Sequence, residues 1–256
     1  MVPYGREGQS LRKSRMNPLD FHLALFFSSY ASRHWNLDWQ MQAVAASYLL
    51  KGQVLMAMYW WAWFRPQQDQ RRTREVLIAA LLACIAALAL GRVLVTTLPY
   101  RARPIDNPVF HYNLPIPIDH SDARDWSSFP SDHAILFVGL AAGILIAWRF
   151  AGVLALLYVA VVICFPRIYL GYHYLSDILA GAAIGVGFVW LFNQERIRRR
   201  ITQLPMRWHD VRPQVFYTIL LLLSYEVAEL FGPVRHLLGA IRGHGHLGAI
   251  LFHFHT

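Results

Sequence analysis

The sequence predicts an all-α fold, a polytopic membrane helix bundle of about six transmembrane helices preceded by an N-terminal interfacial helix. Hydrophobic residues make up 56% of the 256 and charged residues only 15%, too apolar and too charge-poor for an ordinary soluble domain. Apolar runs close to the ~20 residues that cross a hydrocarbon core of ~30 Å recur along the chain. Basic residues gather in short segments between these runs, a pattern that orients membrane helices and differs from the aromatic-interleaved stripe of a nucleic-acid surface. The formal charge of +9 therefore points to membrane orientation, and nucleic acid is not expected as a partner.

Residues 1–36 read as a polar, basic tail followed by an interfacial helix, because the apolar patch from Phe21 to Phe27 is too short to span. Residues 37–195 form the main membrane domain. Its first span, about Asp38 to Phe64, ends in Tyr59-Trp60-Trp61-Ala62-Trp63, read as an aromatic belt at headgroup depth. A basic loop over 65–74 leads to a second span, about Glu75 to Leu98, with Arg92 inside it. The segment from about 100 to 128 is rich in Pro, Asp and His and belongs outside lipid. A third span starts near His133, a fourth covers about Ala151 to Pro166, and a fifth follows His173 and ends near Phe192.

Residues 196–256 comprise a second basic loop, a last span from about Val215 to Phe231 and a histidine-containing tail. The positive-inside rule puts the 65–74 and 195–212 loops in the cytoplasm, so the 100–128 loop and the 167–173 turn fall together on the opposite face. Gly139 with Gly143, and Gly181 with Gly185, are small-residue pairs that let helices approach closely. Asp177 shares the spacing of Gly181 and Gly185 and should face a neighbouring helix. Glu226 and Glu229 are costly in lipid and should face the bundle, with Arg235 as one partner. Cys84 and Cys164 lie in apolar runs and read as small hydrophobes.

Chemistry concentrates at the non-cytoplasmic face. His173 and Asp177 are four residues apart, close enough on one helical face for a carboxylate to meet an imidazole and fix its tautomer. Arg167 offers a fork of donors suited to phosphate oxygens. Ser128 to His133 begins the third span, where unpaired amides and the helix dipole favour an anion, and Arg103-Pro104 lies in the long polar segment. Each residue alone has a plainer reading. Arg167 suits an interfacial arginine, His133 a helix-start histidine, and Arg101 or Arg103 a headgroup anchor. The tail histidines His236, His244, His246, His253 and His255 lack a fixed ligand geometry, and no metal is assigned to them.

Together these segments resemble the type 2 phosphatidic acid phosphatase family, membrane relatives of the vanadium haloperoxidases. That family's third motif, Ser-Arg, five residues, His, three residues, Asp, is matched by Arg167, His173 and Asp177, with Pro166 where Ser is usual. Its second motif, Pro-Ser-Gly-His, reads Pro130-Ser131-Asp132-His133, a form similar to that of many undecaprenyl-diphosphate phosphatases. Its first motif, Lys, six residues, Arg-Pro, ends at Arg103-Pro104 but has Thr96 where Lys is expected. The resemblance covers roughly residues 40–195.

The resemblance implies a lipid phosphatase in which His173 is the nucleophile, Asp177 orients it, and His133 serves as general acid and base. Arg103, Arg167 and Ser131 would bind phosphate. Asp132 would contribute its backbone, with its carboxylate held by an arginine or, as favoured here, by a backbone amide. Arg92, one turn below Thr96, is the candidate replacement for the missing lysine; the alternative is that it pairs with a carboxylate such as Glu226 or Glu229. No metal and no cofactor are called for. The implied partners are the lipid bilayer and a membrane lipid phosphate. Undecaprenyl diphosphate leads, and phosphatidylglycerophosphate, phosphatidic acid and lipid A are alternatives. The implied location is the inner membrane, with the site facing the periplasm or exterior. A transporter or lipid-binding scaffold with a degenerate phosphate site is the competing class, and oligomeric state is left open.

Overall fold

A computed structural model describes residues 16–31, 33–47, 49–112, 114 and 127–232. Arg235 and the tail histidines, on which expectations were placed above, lie outside the described residues. Among the described residues all regular structure is helical. The elements are α1 (Pro18–Tyr30), α2 (Trp35–Ala46), α3 (Val54–Phe64), α4 (Gln70–Thr97), α5 (Asp132–Ala147), α6 (Arg149–Tyr158), α7 (Phe165–Tyr169), α8 (Leu175–Phe192), α9 (Glu195–Val211) and α10 (Pro213–Ala228).

Among the described residues three helices are long and apolar enough to cross a membrane: Gln70–Thr97, the continuous run Arg149–Tyr169, and Leu175–Phe192. Asp132–Ala147 and Pro213–Ala228 are apolar but shorter. The first expected span is interrupted. Between α2 and α3 the chain takes a π turn over Leu49–Gln53, which widens the helix by one residue. Ser47 Oγ accepts from Leu50 N at 3.3 Å, and Tyr158 Oη donates to the Leu50 carbonyl, so groups disturbed by the turn find new partners. The turn also buries Lys51 and brings Gly52 against the backbone of Ala228 in α10. A second π turn, Val159–Cys164, joins α6 to α7 and admits Pro166, which has no N–H to give a helix interior.

The core runs through α3, α4, α5 and α8, with Trp63, Tyr59, Leu77, Phe137, Leu140 and Ile144 almost fully buried. The aromatic run of the first span is therefore not simply a headgroup belt: Tyr59 and Trp63 are core residues, while Trp61 is exposed. Small residues let α5 and α8 touch. A Cβ on Gly181 would stand 2.6 Å from the Ser131 carbonyl oxygen, and one on Gly185 would strike the Ile135 carbonyl. This approach sets the start of α5 beside the start of α8, where Ser131 N donates to the Asp177 carbonyl at 3.2 Å. At the other end of the bundle α9 meets the beginning of α4, with Arg71 bonded to Asp210 at 3.1 Å and Arg198 3.8 Å from Glu75. The two basic segments thus share one end, and the candidate site occupies the opposite one.

Candidate active site

Three segments distant in sequence are tied together by hydrogen bonds at the mouth of the bundle. Ser128 N donates to the Arg101 carbonyl at 2.9 Å, Arg103 Nη1 to the Tyr172 carbonyl at 2.9 Å, and Ile105 N to the Gly171 carbonyl at 2.9 Å. Gly171 has φ +72°, a left-handed conformation that turns the chain after α7, and a Cβ there would collide with the Tyr112 ring. The turn folds back so that Tyr172 N and His173 N both donate to the Arg167 carbonyl, at 2.9 and 3.2 Å. His173 is thereby hung over Arg167.

The imidazole of His173 is fixed by a contact that spacing did not reveal. Its Nδ1 lies 2.8 Å from the Ser128 carbonyl oxygen and 3.8 Å from Asp177 Oδ2. A carbonyl only accepts, so Nδ1 carries the proton and donates it, leaving Nε2 as the lone pair. The expectation that Asp177 holds the ring directly is corrected on this point. Its carboxylate is instead bonded by Tyr174 N at 2.8 Å and Arg101 Nη1 at 2.5 Å, and it acts on His173 from just beyond hydrogen-bond range. His173 is 7% exposed. Burial lowers its pKa below the ordinary 6.5, Asp177 opposes this, and the charges of Arg103 and Arg167 reinforce it.

Arg167 is 4% exposed and Ser131 is fully buried. Ser131 stands at the N-cap of α5, yet its side chain makes no capping bond, and its Oγ has no hydrogen-bond partner among the described residues. The same holds for Ser128 Oγ, Arg103 Nε and Asp132 Oδ1. The unmet Ser128, Ser131 and Arg103 donors beside a helix N-terminus suit an anion with several acceptor oxygens, whereas Asp132 Oδ1 can only accept. His133 opens α5 within electrostatic reach of Arg167, Lys51, His173 and Arg103. The structure thus brings His173, His133, Asp177, Arg103, Arg167, Ser131 and Asp132 to one place.

Arg92 corrects the expectation for Asp132. Its Nη2 lies 2.5 Å from Asp132 Oδ2, so the carboxylate at the start of α5 is held by an arginine and not by a backbone amide, and the carboxylate found on Arg92 is Asp132 and neither Glu226 nor Glu229. Thr96 is exposed, and its hydroxyl bonds back to the Arg92 and Val93 carbonyls of its own helix.

Two polar residues reach this end of the bundle that sequence reasoning did not assign to it. Lys51, 7% exposed in its π turn, is an electrostatic neighbour of Arg167, His133 and Glu229. A lone lysine inside an apolar run was the available signal, since such a charge is costly without a role. Asp20 is 2% exposed in α1, and Arg101 bonds both Asp20 and Asp177. Nothing in local spacing joins Asp20 to residues so far along the chain.

The family model described as PAP2 superfamily matches residues 99–200, the stretch that holds all three motif segments. Over that stretch the chain is similar to the PAP2 superfamily. Among its relatives is "Lipid A 1-diphosphate synthase" of Escherichia coli (strain K12), 26% identical over 72% of this chain and 80% of the relative. "Putative undecaprenyl-diphosphatase YbjG" of the same organism is 30% identical over 52% of this chain and 60% of its own length. "Bacitracin transport permease protein BcrC" of Bacillus licheniformis is 29% identical over 45% of this chain and 53% of its own length. Relative to the latter two the chain spans little more than half their length. No solved structure gives a significant match. The match to the PAP2 superfamily model and the relatives named for diphosphate chemistry support a phosphoric-ester hydrolase, and helices long and apolar enough to cross a membrane support a membrane setting.

Proposed function

We propose that this protein is an integral membrane lipid phosphatase that cleaves a lipid diphosphate, with undecaprenyl diphosphate the leading substrate, through a phosphohistidine on the extracytoplasmic face. The observation that carries this reading is the buried His173 whose Nδ1–H is committed to the Ser128 carbonyl, beside Arg103, Arg167, His133 and an unbonded Ser131 hydroxyl. Nε2 of His173 attacks the terminal phosphorus in line as the bond to the bridging oxygen breaks. His133 gives its proton to that leaving oxygen, so lipid monophosphate departs. Arg103, Arg167 and Ser131 stabilise the equatorial oxygens, and Lys51 adds positive charge from below. His133 then takes a proton from water, which attacks phosphorus, breaks the N–P bond and frees inorganic phosphate. Imidazolium character develops on His173 during attack, and the Asp177 carboxylate, 3.8 Å from Nδ1, favours it.

The orientation follows from charge. The basic segments meet at the end opposite the site, and the positive-inside rule assigns that end to the cytoplasm. A second reading concerns the acceptor: the relative named a lipid A diphosphate synthase favours transfer of the phosphoryl group to a lipid phosphate instead of water. One experiment separates these readings. Purified protein in detergent is given undecaprenyl diphosphate, phosphatidylglycerophosphate or phosphatidic acid, with and without lipid A, in EDTA. Phosphate release that is fastest from the diphosphate supports the proposal, and loss of phosphate release with gain of diphosphorylated lipid A supports transfer. No turnover of any lipid phosphate would leave the transporter or scaffold reading.

A further inference from the structure

Arg101 is held between two carboxylates from different parts of the chain. Its Nη2 donates to Asp20 Oδ2 at 2.7 Å, and its Nη1 to Asp177 Oδ1 at 2.5 Å and Ser176 Oγ at 2.8 Å. Its guanidinium lies over the Tyr174 ring, 4.2 Å from the centroid. Asp20 completes the clamp by accepting from Ser176 N at 3.0 Å and from the Ser176 hydroxyl. Asp20 belongs to α1, outside the residues matched by the superfamily model.

Two routes lead from this clamp to His173. The side-chain route runs from Asp20 through Arg101 to Asp177, whose Oδ2 stands 3.8 Å from His173 Nδ1. In the main-chain route the Arg101 carbonyl accepts from Ser128 N, and the Ser128 carbonyl accepts from His173 Nδ1. A guanidinium that had only Asp177 as counter-ion would cancel most of the negative field that Asp177 presents to the imidazole. Shared with a second carboxylate, it cancels less, and its fork is fixed in one orientation.

We propose that Asp20 and Arg101 are positioning residues for His173, with α1 acting as a strap whose carboxylate balances Arg101 so that Asp177 keeps its charge for the nucleophile. This rests on His173 being the nucleophile of the proposed reaction. If Asp20 served only to cap α8, its loss would lower the amount of folded protein and leave the imidazole unchanged.

The test is a His173 titration by nitrogen-15 histidine NMR on the full chain in detergent, paired with kinetics on a lipid diphosphate. The groups acting on His173 from its surroundings, Asp177, Arg103, Arg167 and His133, are the same in every variant. Asp20→Asn should move the His173 titration to lower pH and reduce kcat at least tenfold per folded molecule, with KM within about threefold. Asp20→Glu should return the titration to near the wild-type position. Arg101→Gln should move it to higher pH, and adding Asp20→Asn to Arg101→Gln should produce little further change. Should Asp20→Asn fail to accumulate, the Arg101→Gln titration still decides, because an unmoved His173 there overturns the proposal. It is equally overturned if Asp20→Asn leaves both titration and kcat per folded molecule at wild type, or raises KM alone. The titration needs no substrate, so a wild-type protein that hydrolyses no lipid phosphate would defeat the proposed reaction while the coupling of Asp20 to His173 is still read directly.

Discussion

The two ends of the bundle are both rich in arginine and use it in opposite ways. At the site end Arg167 is 4% exposed, Arg103 reaches a carbonyl of another segment, and Arg101 bridges two carboxylates that are almost fully buried. At the other end the side chains of Arg71 and Arg199 are 62% and 70% exposed, and they pair with Asp210 and Glu195 in contact with water. The same Coulomb attraction is several-fold stronger where water is excluded, so only at the site end does charge fix geometry. Counting basic residues would not separate the two ends. Burial and convergence from several segments do.

The largest difference should come from His173. His173→Ala removes the nitrogen proposed to attack, so turnover should fall to background and labelled phosphate should no longer remain on the protein after alkaline quench. His133→Ala should slow both formation and breakdown of the intermediate, by roughly 10²–10⁴-fold, the usual range for a positioned acid–base group. Arg199→Ala, at the opposite end, should leave both steps alone. Wild-type turnover in His173→Ala would erase the distinction between the ends.

Next in size are the arginines proposed to bind phosphate. Arg103→Ala and Arg167→Ala should each lower kcat/KM by about 10²–10³-fold, or ~2.7–4 kcal/mol, the loss expected for one preorganised donor. Arg167→Lys should recover only part of this, because an ammonium keeps the charge and loses the planar fork.

The contrast between ends was partly legible from residues alone. Arg167, His173 and Asp177 lie close together along the chain, around the turn between α7 and α8, and Ser131 to His133 at one helix start, so local spacing exposed them. The tautomer of His173 was not legible, because the Ser128 carbonyl arrives from another segment and any residue type can supply a carbonyl. Nor was the clamp on Asp177, since Asp20 joins Arg101 across a tertiary contact that leaves no periodic trace. Helical apolar character was readable from composition and run length. The break at Leu49–Gln53 was not, because the turn is fixed by packing of Gly52 on α10 and by Tyr158 bonding Leu50. Lys51 rides on that break.

Arg92 sharpens the comparison further, because it is an arginine at the site end with intermediate exposure, 34%, against 15% for Asp132. Arg92→Ala should cost about 2 kcal/mol in transition-state stabilisation, on the scale of a lost charged partner near phosphate. If its work is to neutralise Asp132, adding Asp132→Asn should restore most of the loss. If it contacts phosphate in place of the absent lysine, the double variant stays impaired and Thr96→Lys restores activity instead.

A smaller effect is expected in the pH profile. In the proposed reaction His173 must be neutral to attack, and burial disfavours its charged form and lowers its pKa below 6.5. Activity limited by His173 should therefore persist as pH falls past 6.5 and decline only below it, with no loss from this group at higher pH. A kcat/KM profile whose acidic limb, traced to His173 by its titration, lies above pH 6.5 would place the nucleophile in a more polar setting than the structure gives it.

The smallest effect belongs to the far end. Arg71 and Asp210 are 3.1 Å apart, but their side chains are 62% and 43% exposed. Water screens such a pair, and holding a long arginine in one rotamer offsets much of what remains, so measured values run from ~0.2 to 1 kcal/mol. Asp210 is also bonded by His209 Nδ1 at 2.9 Å, which leaves it a partner when Arg71 is removed. Arg71→Ala should therefore shift thermal stability by no more than about 1 kcal/mol and leave kcat/KM unchanged, and added salt should shrink even that difference. A loss above ~2 kcal/mol that persisted in high salt would mean that this end, too, depends on charge to fix its geometry, and the contrast between exposed and buried arginine would fail where it is easiest to measure.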